Sequence, residues 1–233
     1  MLIAGIITGD IVASQTLVPR VRQKLFSDTN ALLKDLKKTW ISRYETYRGD
    51  SLQCEVKSPE LALRTALMIR AYFKSYISEK EMPKVEANRM KEERTKGYFT
   101  TDFDVRLSVG IGEVDFVQKN KFANSDGQAF RFSGEALDEL KQESHRLSIK
   151  TLKPGFDEQM EPSILLLDAI IQKWTQNAAE IILYLLQDKK EDEIAGLLNI
   201  SQSAVNQRKK NAQWFAIEKL IQFFEKTVQS WSS

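Results

Sequence analysis

Apolar residues crowd the start of the chain: Leu2, Ile3, Ala4, Ile6, Ile7, Ile11 and Val12, with only small residues between most of them. A run this dense predicts a strand buried on both faces, because a half-exposed strand would alternate. The run is interrupted at Gly9-Asp10. From Leu17 the period changes. Leu17, Val21, Leu25, Leu32, Leu33 and Leu36 recur at helical spacing, which predicts a helix over 17–38. Pro19 suits its first turn, and Ser27-Asp28-Thr29-Asn30 predicts a break in it. Between Trp40 and Val56 residues alternate on both sides of Gly49-Asp50, the pattern of a hairpin with Gly-Asp at its tip.

Ser58-Pro59-Glu60 then reads as a helix start, with Ser as N-cap and Pro at the first position. Leu61, Ala62, Ala66, Leu67, Ile69 and Phe73 carry that helix to about Ser78. Residues 79–102 are dense in Lys, Arg and Glu with few apolar positions, which predicts an exposed charged insertion. Alternation returns over Phe103–Val114. A turn-rich loop spans 120–127, Ser133 is expected to cap a helix running to about His145, and a last strand covers Leu147–Leu152. The order strand, helix, hairpin, helix, strand, helix, strand predicts an α/β (α+β) unit with helices packed on a mixed sheet. Pro154-Gly155 is expected to end it, giving a first domain over 1–155.

The rest reads as all-α, a second domain over 160–233. Apolar helices are expected at Ile164–Trp174, Asn177–Gln187 and Trp214–Trp231. Between them, 191–212 has a helix-turn-helix pattern. Ile194, Ala195 and Leu198 share a buried face, Asn199 suits the left-handed corner, Ser201 caps the second helix, and Ala204 and Val205 face the core. Gln202, Ser203, Asn206, Gln207, Arg208, Lys209 and Lys210 are left outward. Amides can read base edges and basic groups can hold phosphates, so these seven are the candidate DNA-binding residues. A plain helical hairpin with a solvated basic face is the competing reading.

Composition narrows the chemistry. The 233 residues are 42% hydrophobic and 28% charged, with a formal net charge of +2, so no global basic field draws the chain to nucleic acid. A single cysteine, Cys54, excludes an intrachain disulfide framework, and with one histidine, His145, nucleophilic triads have little material. The apolar start lacks the basic flank of a signal peptide, and no run reaches bilayer length, so a cytoplasmic location is expected.

The candidate site lies where the first strand and the hairpin end. Asp10 and Asp50 would share a divalent cation if their strands are neighbours, since Mg²⁺ takes one or two carboxylates and completes its shell with phosphate oxygens. Ile11, Val12, Ala13 and Ser14 are the candidate phosphate-binding residues, small at the end and close to backbone N–H groups. Gly-Asp also serves as an ordinary turn dipeptide.

The motifs Thr8-Gly9-Asp10-Ile11-Val12-Ala13-Ser14, Arg48-Gly49-Asp50-Ser51-Leu52-Gln53, Arg106 to Gly112, Phe130 to Ala136 and Ile200 to Val205 together resemble the SatD-type family of bacterial proteins. The first domain is also similar, more distantly, to the catalytic core of class III nucleotidyl cyclases. That resemblance implies a ferredoxin-like, cyclase-like sheet, with Asp10 and Asp50 holding Mg²⁺ or Mn²⁺ on a nucleoside triphosphate. It also implies differences. Where the cyclases carry an Asn and, a turn later, an Arg on the next helix, this chain has Asp138 and Gln142, and their base-reading position is Thr46. Three readings follow: a DNA-binding regulator with a nucleotide- and metal-sensing domain, a Mg²⁺-dependent cyclase or nucleotidyl transferase with a helical appendage, and a non-catalytic dimerisation scaffold for the helix-turn-helix. DNA, a nucleotide and a second copy of the chain are the expected partners. In the homodimeric enzyme reading, Arg106 or Arg131 of a partner subunit would supply the missing cation.

Overall fold

A computed structural model describes residues 3–17, 19–47, 49–76, 103–116, 122 and 125–232. The charged insertion expected at 79–102 lies outside them. Strand β1 (Ile3–Ile11) sits in the middle of the sheet, antiparallel to β3 (Ser51–Val56) on one side and β4 (Val105–Phe116) on the other. This explains its unbroken apolar run: Ile6 and Ile7 point to opposite faces and both are fully buried. Strand β2 (Ile41–Tyr47) pairs with β3, giving the order β2-β3-β1-β4. With helix α1 (Pro19–Leu36) after β1 and α2 (Ala62–Ser75) after β3, this is the β-α-β-β-α-β arrangement of ferredoxin-like folds. Two-residue β5 (Asp126–Gly127) pairs antiparallel near the end of β4, and β6 (Leu147–Thr151) pairs with β4 in parallel, so the sheet is mixed.

The two sheet faces differ. Ile7, Ile11, Leu52, Cys54, Val56, Leu107, Val109 and Ile111 form one core with α2, whose Leu63, Ala66, Leu67, Ile69 and Phe73 are fully buried. On the other face, Ile6 packs with Ala129 and Phe130 of helix α3 (Gln128–Leu140). The contact is close. A Cβ on Gly110 would meet the Ala129 carbonyl oxygen at 2.2 Å and the Ser133 nitrogen at 2.6 Å. Polar side chains also lie on this face: Gln53 Nε2 donates to Thr8 Oγ1 at 3.1 Å, and Thr8 Oγ1 donates to Ser133 Oγ at 2.8 Å.

Several expected boundaries move. Helix α1 runs through Ser27–Asn30 unbroken, its buried face continuing through Leu25, Thr29 and Leu33, and Thr29 and Asn30 turn their side chains back onto the carbonyls of Leu25 and Phe26, four residues earlier. Ser133 is not a cap. It lies inside α3, buried, its hydroxyl donating to the Phe130 carbonyl and its carbonyl accepting from the Ser108 hydroxyl. That helix stops at Leu140 rather than His145. A helix begins at Pro154-Gly155: α4 spans Pro154–Gln172 with the proline in its first turn, where its missing N–H costs nothing.

Helices α5 (Gln176–Leu186), α6 (Glu191–Leu198), α7 (Gln202–Asn211) and α8 (Trp214–Gln229) follow. They do not stand apart. Ile181, Ile182 and Leu186 of α5 and Ile217, Ile221 and Phe224 of α8 belong to the same core as α2 and the sheet. Arg64 of α2 also pairs with Glu225 of α8 at 2.6 Å and with Asp188 at 3.1 Å.

Candidate functional site

Asp10 leaves the end of β1 opposite Ser51 of β3 and Arg106 of β4. The Ile11 N–H donates to the Asp50 carbonyl at 2.8 Å, which clamps the hairpin tip against the end of β1. The tip itself needs Gly49, whose φ of +83° is strained for any residue with a Cβ. The chain then makes a tight turn through Ala13, left-handed at φ 54°, into a 3₁₀ turn over Ser14–Thr16. That turn swings the Ser14 hydroxyl onto Asp50 Oδ2 at 2.9 Å. The structure therefore brings Asp10, Asp50 and Ser14 together from three separate stretches.

The electrostatics are uneven. Arg106 Nη1 donates to Asp10 Oδ2 at 3.2 Å, while Asp10 Oδ1 is buried with no hydrogen-bond partner among the described residues. Burial raises the Asp10 carboxyl above the usual carboxylate range; Arg106 and Lys141 oppose that shift, and the nearby Asp50 charge adds to it. A polar cleft of about 620 Å³ opens here, lined by Asp10, Gln15, Arg22, Asp50, Ser51, Leu137 and Lys141. Two carboxylates thus face two cations across one opening. An orphaned, buried carboxylate oxygen is what a hard cation would satisfy. No group of three His, Cys, Asp or Glu side chains surrounds a common point among the described residues. A Mg²⁺ held by Asp10 and Asp50 would complete its shell from ligand and water, which is its habit in phosphate sites.

The four expected phosphate contacts divide. The N–H groups of Ile11 and Val12 are taken by the carbonyls of Asp50 and Asp104, at 2.8 and 2.9 Å. They hold the turn rather than face the cleft, leaving Ala13 and Ser14. The cleft residues that sequence reasoning missed are Gln15, Arg22, Ser51 and Lys141. Arg22 lies on α1 and Lys141 just past the end of α3, and no local pattern marks either as a cleft residue. Lys141, which lines the cleft, also pairs through its Nζ with Asp138 at 2.7 Å. Thr46 donates to Asn30 Oδ1 at 3.1 Å. Cys54 is fully buried and its thiol is pushed up to about 12 by that burial, so it is core, not nucleophile.

In the second candidate region, α6 ends at Asn199 in the left-handed conformation (φ 50°, ψ 47°), and Ser201 Oγ accepts from the Ala204 N–H at 3.2 Å. Ile194 and Val205 are fully buried. Gln202, Ser203, Gln207 and Lys210 are exposed, and Asn206 is half-buried. Arg208 lies 4.0 Å from Glu180, and Lys209 pairs with Glu191 at 2.8 Å. No helix among the described residues is long and apolar enough to cross a membrane.

Among solved structures, the chain is similar to a bacterial light-regulated adenylyl cyclase, at 16% identity over 64% of this chain and 75% of that one, with a TM-score of 0.42. It is also similar to adenylate cyclases from Trypanosoma brucei in their monomeric state (16% identity, 57% and 67% covered, TM-score 0.39). A third is the adenylyl cyclase CyaB from P. aeruginosa (11% identity, 59% and 71% covered, TM-score 0.34). No protein-family model and no curated protein matches the chain.

Proposed function

We propose that the α/β half is a divalent-metal-dependent nucleotide site of the nucleotidyl-cyclase type, acting on a nucleoside triphosphate. One observation carries this reading: Asp10 and Asp50 meet at adjoining strand ends, with an orphaned buried oxygen on Asp10, in a cleft that also holds Arg22 and Lys141. The motif resemblance supports it, because the two aspartates stand at the metal positions of the class III core. A Mg²⁺ or Mn²⁺ held there would neutralise the triphosphate and polarise its phosphorus. The chain's own residues do the rest. Ser14 orients Asp50 through its hydroxyl. Lys141 and Arg22 line the opening as phosphate partners and would stabilise charge on the pyrophosphate that leaves when the nucleotide's own ribose 3′-oxygen, losing its proton to solvent, forms its bond to the α-phosphorus and the α–β phosphoanhydride bond breaks. Lys141 takes over the cationic role that Gln142 cannot fill.

The test is thermal stability with ATP and GTP, with and without Mn²⁺, followed by product analysis. A ligand at a hundred times its dissociation constant should stabilise the protein by about 2.7 kcal/mol. The expected shift requires metal and disappears in Asp10→Asn and Asp50→Asn. The absence of any metal-dependent shift would overturn the reading.

DNA binding by 191–212 is the second reading. The left-handed corner at Asn199 and the cap at Ser201 favour it, by turning Gln202, Ser203, Gln207 and Lys210 to solvent. Its weakness is that Arg208 and Lys209 are engaged with Glu180 and Glu191. If it holds, Lys210→Ala lowers DNA affinity uniformly across sequences and reduces the salt slope by about one.

A further inference from the structure

Arg70 of α2 is the largest fully buried side chain in the molecule's described part. Its Nε and Nη2 donate to the two carboxylate oxygens of Asp104, at 3.0 and 3.2 Å, and its Nη1 donates to Asp168 of α4. Arg146 Nη1 adds a second cation on Asp104 at 2.7 Å. Asp168 also accepts from the Arg146 N–H at 3.1 Å and from Gln172 Nε2 at 2.6 Å. Two arginines and two aspartates balance, and nearly every polar atom of the group is used. Such a network stands only if its geometry is held, because each buried charge left unpaired is costly.

What matters is where the network ends. Asp168 belongs to the helical half. At the other end, the Asp104 carbonyl accepts the Val12 N–H at 2.9 Å, inside the turn that carries the candidate site. Asp104 precedes β4 and has no ladder partner of its own. Its backbone is held through its side chain, by Arg70, Arg146 and the Val105 N–H at 2.8 Å.

We propose that Arg70 and Asp168 are positioning residues for the Asp10–Ser14 turn, so that the helical half sets the backbone of the candidate site through Asp168, Arg70, Asp104 and Val12 in sequence. The claim about the backbone stands on these contacts alone; the claim that it governs nucleotide binding rests on the reading above. Displacing α4 would free one face of Arg70, loosen Asp104 and slacken the Val12 bond. Any event that shifts the helical half is then coupled to the site, and by linkage nucleotide binding at the site acts back on the helices.

Amide hydrogen exchange in full-length Asp168→Asn tests the backbone claim. Ile11 is the internal reference, because its N–H bonds to Asp50 and does not pass through Asp104. The Val12 amide should exchange roughly tenfold faster relative to Ile11 than in the parent, a local opening rather than a global one. Gln172→Ala, which removes only the amide steadying Asp168, should give a smaller change in the same direction and serves if Asp168→Asn does not fold. If Val12 and Ile11 accelerate together, or neither changes, in the variants that fold, the network is merely structural and the proposal is overturned. The second arm is the Mn²⁺–ATP affinity of the same variants, expected to weaken several-fold in proportion to the Val12 change. Unchanged affinity with a loosened Val12 overturns the coupling. If the parent protein binds no nucleotide, the nucleotide reading fails while the exchange ratio still decides the positioning role.

Discussion

Asp10 shows how one side chain can be costly to the fold yet, in the proposed site, serve a metal. Its carboxyl is raised by burial, and one oxygen lacks a partner among the described residues, so the ionised form is held at the expense of stability. Asp10→Asn should therefore leave the ligand-free protein melting no lower than the parent while abolishing metal-dependent stabilisation, a trade measurable in one thermal-shift series. Asp104 behaves in the opposite sense. Burial works to raise it, but Arg70 and Arg146 hold it below its ordinary value of 3.8. Its contribution is present above that value and is lost as pH falls through the lowered native one. Asp104→Asn should cost roughly 3–5 kcal/mol at neutral pH. Urea melts at a series of acidic pH values should show the variant losing less stability than the parent on further acidification.

Among the elements, α3 and its seat on the sheet decide most. Gly110 and Ser133 let the helix backbone lie directly on β4. Gly110→Ala would drive a Cβ into the Ala129 carbonyl, and since backbone cannot swing aside, the expected loss is about 1–3 kcal/mol by denaturant melts. Because α3 leads to Lys141, the same variant should also weaken nucleotide stabilisation. Local signals at two positions led to different outcomes. Ser133 and Pro154-Gly155 carry good local signals for a cap and a stop. Ser133 falls inside a helix that already starts at Gln128, where its hydroxyl bonds back to the Phe130 carbonyl and its carbonyl accepts from Ser108, and Pro154-Gly155 opens the next helix. The hairpin was legible because its tip chemistry is local: Gly-Asp with alternation on both sides demands it.

Across the whole molecule, the sheet, α2 and the C-terminal helices share one hydrophobic core, joined further by Arg64 with Glu225 and by Arg70 with Asp168. Heating should give a single cooperative transition in which the calorimetric and van't Hoff enthalpies agree; two resolved transitions would mean the halves melt independently. Arg64→Ala should lower its midpoint by a few degrees, through a half-buried pair that ties α2 to α8.

Hydrophobic period, turn dipeptides and capping residues determined the order of the elements, the central buried strand, the hairpin and the left-handed corner at Asn199. All of these are set within a few residues of chain, where backbone sterics and side-chain spacing act. The pairing of Asp10 with Asp50 was a conditional expectation that strand register had to decide. Arg22 and Lys141 reached the cleft, Ile11 and Val12 spent their N–H groups on the fold, and Arg70 found its two aspartates, only through contacts between distant stretches. Those contacts depend on how elements pack, and no local pattern encodes which distant charge will lie across a packed interface.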